Sequence, residues 1–200
     1  MIVDTDMESS VDKETSENDN NLATDDGRLI EQARSDPEAF SRLYRRHYEA
    51  VFRYCVHRLF ERQTAEDVTS AVFLKIVEKF NSFKGTERQF RNWLYTIATN
   101  AVNNHLRKTA RRSNLLKLAG EQINRVNNDI EETTAESAKK LAVLKEAMRQ
   151  LKPRYQTIIT LRFFENLKLT QIAEVLKSKP ATVRSQLSRA LKQLREKIKN

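Results

Sequence analysis

The chain has 200 residues with 3 Gly, 3 Pro and 1 Cys, and a formal net charge of +9. So few breakers among many strong helix formers predict an all-α protein, and the length suffices for one large domain or two small ones. The lone Cys55 excludes an internal disulfide and a cysteine-based zinc knuckle, no apolar run reaches the about 18 residues of a membrane span, and the opening MIVDTDMESS lacks the cationic start and apolar centre of a signal peptide, so a reducing cytoplasm is the expected location.

The charge is unevenly spread. Residues 1–26 carry −8, residues 27–112 carry +8, residues 113–136 carry −3 and residues 137–200 carry +12. Two basic blocks are thus preceded and separated by acidic stretches. Basic blocks of this density attract polyanions, of which nucleic acid is the commonest large one; a solubilising surface is the plainer alternative.

Residues 1–26, with SENDNNLATDDG, are polar, acidic and almost free of aromatics, and read as a disordered leader. Such a leader serves as a solvating tail or as a shield for a basic surface. Helical periodicity starts after Asp36-Pro37, an N-cap and first-turn pair, with Phe40, Leu43, Tyr44, His47, Val51, Tyr54 and Cys55 forming one stripe. A second helix after ERQTAED buries Val68, Val72, Ile76 and Phe80. FNSFKGT interrupts it, and Thr86 with Gln89 forms a capping box that opens a helix through Phe90, Trp93, Leu94, Ile97, Ala98 and Ala101, ending in the basic run HLRKTARR.

Residues 113–136 lose the stripe and read as a linker, with some helix over NLLKLAGEQI left open. The second block, residues 137–200, begins with Ala138, Leu141, Leu144, Met148 and Leu151, stops at Lys152-Pro153, and continues with a helix through Tyr155, Ile158, Ile159 and Phe163. Next comes LTQIAEVL, with Thr170 as the expected N-cap, then KSKP, then ATVRSQLSRALKQLREK. The expected architecture is two small helical domains joined by a flexible linker.

Helices over Thr170–Leu176 and Ala181–Lys197, joined by a few residues, have the spacing of a helix-turn-helix. At about 100° per residue, Leu187, Ala190, Leu191, Leu194 and Ile198 fall within roughly 80° of Val183, whereas Arg184, Ser185, Ser188, Arg189, Lys192 and Arg195 fall between roughly 100° and 240°. An α-helix fits the major groove, where Arg reads guanine and Ser or Gln serves several base edges. The candidate readers are Thr182, Arg184, Ser185, Gln186, Ser188, Arg189 and Lys192, with Lys179, Lys168 and Arg162 at the periphery for phosphates. Many such motifs carry Gly where this chain has Lys177, so modest strain is expected in the turn. A basic amphipathic helix with an ordinary solvated face remains the plain alternative.

Other chemistries find no support. His47, His57 and His105 lack metal-ligand spacing, and neither a Gly-rich phosphate loop nor a Ser–His pair nor a carboxylate cluster appears, so no metal, cofactor or enzymatic activity is expected. Cys55 and Trp93 both lie on apolar stripes and are expected in the core.

The first block, with AEDVTSAVFLKI and NWLYTIATN, resembles the promoter-melting domain of bacterial RNA polymerase sigma factors, nearest to the extracytoplasmic-function group. The second, with ATVRSQLSRALKQLRE, resembles the same family's C-terminal domain, which binds the upstream promoter element. The resemblance covers residues 28–112 and 137–200 in the family's order.

It implies a transcription initiation factor that directs core polymerase to promoters by −35 recognition and −10 recognition and melting. It implies docking of the Asp67–Phe80 helix on the clamp of the polymerase's largest subunit, with Asp67, Val68, Phe73, Leu74 and Lys75 matching; the frequent Gln-Glu pair of that motif is Ser70-Ala71 here. The Phe83–Gln89 loop, holding Lys84 and Arg88, resembles the segment that captures a flipped −10 base, and Asn100 matches a position near that base, followed by Asn103, Asn104, Arg107 and Lys108. An anti-sigma partner is common in the family. The rival readings are a dimeric helix-turn-helix regulator that never joins polymerase, and a nucleic-acid enzyme such as a recombinase.

Overall fold

The structure, a computed structural model, describes residues 27–118 and 135–199, and all its regular elements are helices. The acidic leader, residues 1–26, and most of the expected linker, residues 119–134, lie outside the described residues.

The first block opens with α1, helical at residues 27–32, which the sequence reading missed. It is too short to show a stripe, yet Leu29, Ile30 and Ala33 are buried. Arg34 then donates from Nη2 to the Phe83 carbonyl at 2.8 Å, tying this segment to a loop 49 residues away. Helix α2, Pro37–Leu59, starts as expected: the Asp36 carboxylate accepts from the Glu38 N–H at 2.9 Å and Pro37 occupies the first turn. It ends at Phe60, whose φ of 60° lies in the left-handed region and whose N–H donates to the Val56 carbonyl.

Helix α3, Arg62–Phe80, is capped by Glu61, which accepts from the N–H groups of Gln63 and Thr64 at 2.9 and 2.7 Å. These hydrogen bonds, with the Thr64 side chain contributing most, hold the Glu61 carboxyl below its ordinary pKa. Helix α4, Glu87–Leu118, runs past the boundary at 112 expected from the sequence, since Ser113 through Leu118 contain neither Gly nor Pro. The Thr86 N–H does reach the Gln89 side chain at 2.8 Å, as the capping box requires.

Helices α2, α3 and α4 close on an aromatic centre. Phe40 meets Phe80 edge-on at 5.1 Å, and Phe83 meets Phe90 at 5.3 Å and Trp93 at 5.0 Å. Trp93 is half-buried against this core.

The second block begins with α5, Ala135–Arg149, and α6, Pro153–Ile159. A π-helical turn, Thr160–Phe164, follows α6 directly, closed by the Glu165 N–H on the Thr160 carbonyl at 3.2 Å. This widened turn corrects the expected stripe: Leu161 is fully buried, whereas Phe163 is 53% exposed, because the wider turn ends the 3.6-residue register. Helix α7 spans Leu169–Val175 and α8 spans Pro180–Lys199. Thr170 is not the N-cap of α7; Lys168 holds that position, and its N–H donates to Gln171 Oε1 at 2.8 Å.

The two blocks pack against each other, with α2 and α4 meeting α7 and the π turn. The thiol of Cys55 lies sealed inside the first block, and burial pushes it up to about 11. Iodoacetamide at neutral pH should therefore leave Cys55 unmodified in the folded chain and label it quickly in denaturant. Rapid labelling without denaturant, read by mass spectrometry, would show that this core opens locally.

Candidate nucleic-acid interface

Helix α8 is built with two faces. Val183, Leu187, Ala190 and Leu194 are buried against the rest of the block, while Thr182, Arg184, Ser185, Ser188, Arg189 and Lys192 are exposed. The predicted partition of packing and polar faces is thus present in space. Ile198, expected on the packing face, is exposed at the frayed end of that stripe. Beneath α8, α7 contributes Ile172, Ala173 and Val175 to the core, so α8 is held by apolar packing that leaves its polar groups available.

The turn between them carries the expected strain. Lys177 has φ 47°, its N–H donates to the Glu174 carbonyl at 3.1 Å, and the Ser178 N–H donates to the Ala173 carbonyl at 2.8 Å. Pro180 is the first residue of α8, where its fixed φ suits a helix start.

Gln186 is half-buried, and its side-chain oxygen accepts from Arg154 Nε at 2.7 Å. Arg154, at the start of α6, thereby joins the cationic rim of α8. Sequence reasoning missed it because 32 residues separate the pair. Of the peripheral cations, Lys179 is exposed and Lys168 half-buried, while Arg162 donates to the Leu167 carbonyl at 3.3 Å within its own block.

The second candidate surface runs along α4. Lys84 and Arg88 are exposed at its start, as are Asn100, Arg107 and Lys108 further on, with Asn103 and Asn104 half-buried. Asn104 accepts from Arg107, and Asn103 accepts from Arg58 at 3.5 Å. Asn100 lies twelve residues beyond Arg88, about 18 Å along the helix axis. The loop and the Asn-rich turns therefore form two ends of a strip, which a single DNA segment would have to traverse. Gly85 keeps the loop tight: a Cβ there would stand 2.7 Å from the Phe83 ring.

The third surface is α3. Asp67, Leu74 and Lys75 are exposed, but Val68 and Phe73 are only 6% and 5% exposed and belong to the core, so they are not available for direct contact. Their place on the surface is taken by Val77, 54% exposed, beside Leu74 at 62%. Leu74 and Val77 stand three residues apart on one face, a spacing visible in the sequence once the stripe through Val68, Val72 and Ile76 is assigned to the core. Among the described residues no group of three His, Cys, Asp or Glu could hold a metal ion, and no helix is long and apolar enough to cross a membrane.

Comparison with known proteins identifies the family of both blocks. Residues 43–112 match the sigma-70 region 2 family and residues 141–194 match the sigma-70 region 4 family. The chain is 34% identical over 169 residues to the ECF RNA polymerase sigma factor BldN of Streptomyces coelicolor, a match covering 83% of this chain and 63% of BldN. It is 30% identical over 173 residues to the RNA polymerase sigma-H factor of Pseudomonas aeruginosa, covering 82% of this chain and 89% of that one. Among solved structures, RpoE of Bartonella quintana, in complex with the anti-sigma factor NepR, shares the fold with a TM-score of 0.66 at 22% identity, covering 80% of this chain and 96% of RpoE. CnrH, in complex with the cytosolic domain of CnrY, shares it with a TM-score of 0.65 at 20% identity, covering 86% and 95%.

The strained turn yields a direct test. A left-handed L-residue costs about 1–2 kcal/mol, partly offset by the extra chain entropy a glycine loses on folding. Lys177→Gly should stabilise the second block by up to about 1 kcal/mol, seen as a rise in the urea midpoint. A lowered midpoint would mean that the Lys177 side chain contributes more than its backbone costs.

Proposed function

The chain belongs to the extracytoplasmic-function group of RNA polymerase sigma factors, and from that membership we propose that it directs core polymerase to specific promoters through three separate surfaces. Helix α8 reads the −35 element in the major groove. The strip from Lys84 to Lys108 engages and helps to melt the −10 element. The exposed face of α3 docks on the clamp of the polymerase's largest subunit. The observation that carries this reading is the two-faced α8, which seats its apolar side on the block and presents Arg184, Ser188 and Arg189 outward.

Labour divides by chemistry. Arg184 and Arg189 are suited to bidentate contact with guanine, and Ser185, Ser188 and Thr182 to either donor or acceptor edges. Gln186 reaches a base only by exchanging its bond to Arg154. Lys179, Lys192 and Arg154 supply salt-dependent attraction to phosphate. On α4, the Asn100 amide both donates and accepts, which suits a base lifted out of the stack at a cost of a few kcal/mol. On α3, Leu74 and Val77 offer apolar area, with Asp67 and Lys75 as flanking charges; Ser70 and Ala71 add little polar contact. The chain performs no covalent chemistry, which the polymerase supplies, and it acts on DNA in the cytoplasm of a bacterium. An anti-sigma protein is a further partner in this reading, since RpoE of Bartonella quintana is in complex with the anti-sigma factor NepR.

A stand-alone regulator would need only the second block. The ordered pair of sigma-70 regions favours the polymerase-bound reading. Run-off transcription with core polymerase on a genomic library should yield defined start sites sharing upstream and downstream elements; no transcript above core alone would reject the reading. Arg184→Ala or Arg189→Ala should weaken binding to a cognate −35 duplex by about 1–3 kcal/mol, roughly 5- to 150-fold, with a smaller loss on scrambled DNA. Equal loss on both would make the residue a phosphate contact. Leu74→Asp should abolish co-purification with core polymerase while leaving binding to the −35 duplex unchanged.

A further inference from the structure

The segment before α2 belongs to none of the three surfaces just described, yet one of its side chains holds the loop that carries Lys84 and Arg88. Helix α1 is seated on the first block through Leu29, Ile30 and Ala33, all buried in the core cluster. The chain then turns tightly into α2, with the Ser35 and Asp36 N–H groups both donating to the Gln32 carbonyl, at 3.1 and 2.9 Å. Arg34 stands inside this turn, its side chain 29% exposed. Its Nε lies 3.3 Å from Glu31 Oε2, and its Nη2 donates to the Phe83 carbonyl at 2.8 Å. A guanidinium is a rigid plane, so a partner on Nε restricts the direction in which Nη2 points.

Phe83 sits where α3 has ended and α4 has not begun. Its N–H donates to the Phe80 carbonyl at 3.0 Å, and its ring packs against those of Phe90 and Trp93. At the far end of the loop, the Thr86 N–H is held by the Gln89 side chain, and the Thr86 carbonyl accepts from the Phe90 N–H at 2.9 Å. Lys84 and Gly85 lie between these two anchors. With its carbonyl bonded to Arg34, the Phe83 peptide is fixed on both sides, and Lys84 stays exposed immediately beyond it. A loop already held in its binding shape loses its freedom on folding rather than on binding. It therefore grips a ligand more tightly than a loop that must first find that shape.

We propose that Arg34 is a positioning residue for −10 capture: it braces the Phe83–Gln89 loop in the shape that receives the flipped base and does not itself touch DNA. The consequence rests on the sigma-factor reading, whereas the brace can be measured on the free chain. Trp93 is the single tryptophan, and its ring lies 5.0 Å from that of Phe83, so its fluorescence reports on the loop. Acrylamide quenching of Trp93 should rise in Arg34→Ala, with helicity by circular dichroism unchanged. In Arg34→Lys, which keeps a cationic donor, quenching should stay at the parent value.

The second measurement uses each chain bound to core polymerase and a single-stranded −10 oligonucleotide. The flipped position is the one whose abasic replacement costs the parent complex most affinity. Arg34→Ala should weaken binding of the intact strand about fivefold and leave the abasic strand and the −35 duplex bound as before, while Arg34→Lys matches the parent. Quenching in a folded Arg34→Ala equal to that of the parent would overturn the brace. Equal loss on the intact and abasic strands would make Arg34 a phosphate contact and overturn its positioning role. Raised quenching with no loss on the intact strand would overturn that role too. If the parent complex prefers no base over an abasic site, the −10 reading itself fails, and the quenching comparison still decides whether Arg34 holds the loop.

Discussion

Whatever compensates the charge of Glu165 determines how the second block sits against the first. Its carboxylate has lost its water entirely and is answered from across the interface by one phenol and one guanidinium. The same carboxylate, after burial itself, helps push the Tyr95 phenol above its ordinary pKa, so the phenol stays a donor. Tyr95 lies on α4 and Arg53 on α2, so a single acceptor gathers two of the first block's three principal helices. Arg53 is about half exposed, and its share of the attraction is screened; Tyr95 makes the more sheltered contact. Polar bonds thus join the blocks together with ring contacts such as that of His57 with Phe164, while apolar packing carries each block internally.

That division runs through the whole molecule. Aromatic rings from Phe40 to Trp93 make the first block rigid, and the α8 stripe does the same for the second. Rigid blocks present their polar groups in fixed arrays, which groove reading requires. Among the described residues, those with left-handed backbone mark where the chain must turn hard: Phe60 at the end of α2, Asn166 just after Glu165, and Lys177 before α8. None is glycine. Two of the three border the interface between the blocks, where Arg149 stacks its guanidinium over the Phe60 ring at 5.3 Å.

Helix periodicity carried most of the architecture. The caps at Asp36 and Thr86, the stripes of α2, α3 and α8 apart from the exposed Tyr44 and Ile198, and the left-handed turn at Lys177 could all be read from local spacing, because each is a contact within a few residues. Helix α1 escaped because it is too short to show a period. Phe163 was misplaced because periodicity assumes a constant 3.6 residues per turn, and the π turn breaks that assumption. Val68 and Phe73 matched a docking motif, yet motif matching does not distinguish a residue that touches a partner from one that supports the helix from behind. The Arg154–Gln186 bond and the grip on Glu165 join residues far apart in sequence, and no local pattern announces them. Glu165 in particular sat among 4 acids in a strongly basic block, where charge bookkeeping registers only a small offset.

The π turn also bears on how such a chain tolerates change in length. A turn of this kind amounts to one surplus residue threaded into an otherwise regular helix. Five residues in this widened turn advance the chain by nearly the same rotation and rise as four in an α turn, so removing one position between Thr160 and Phe164 would return α6 to regular geometry and leave Glu165 facing Tyr95. A regular helix has no such slack: one residue lost inside α8 would turn everything beyond it by about 100° and draw it back about 1.5 Å. The segment that leads into the DNA-reading pair therefore carries one residue of spare length, which the helix it positions does not.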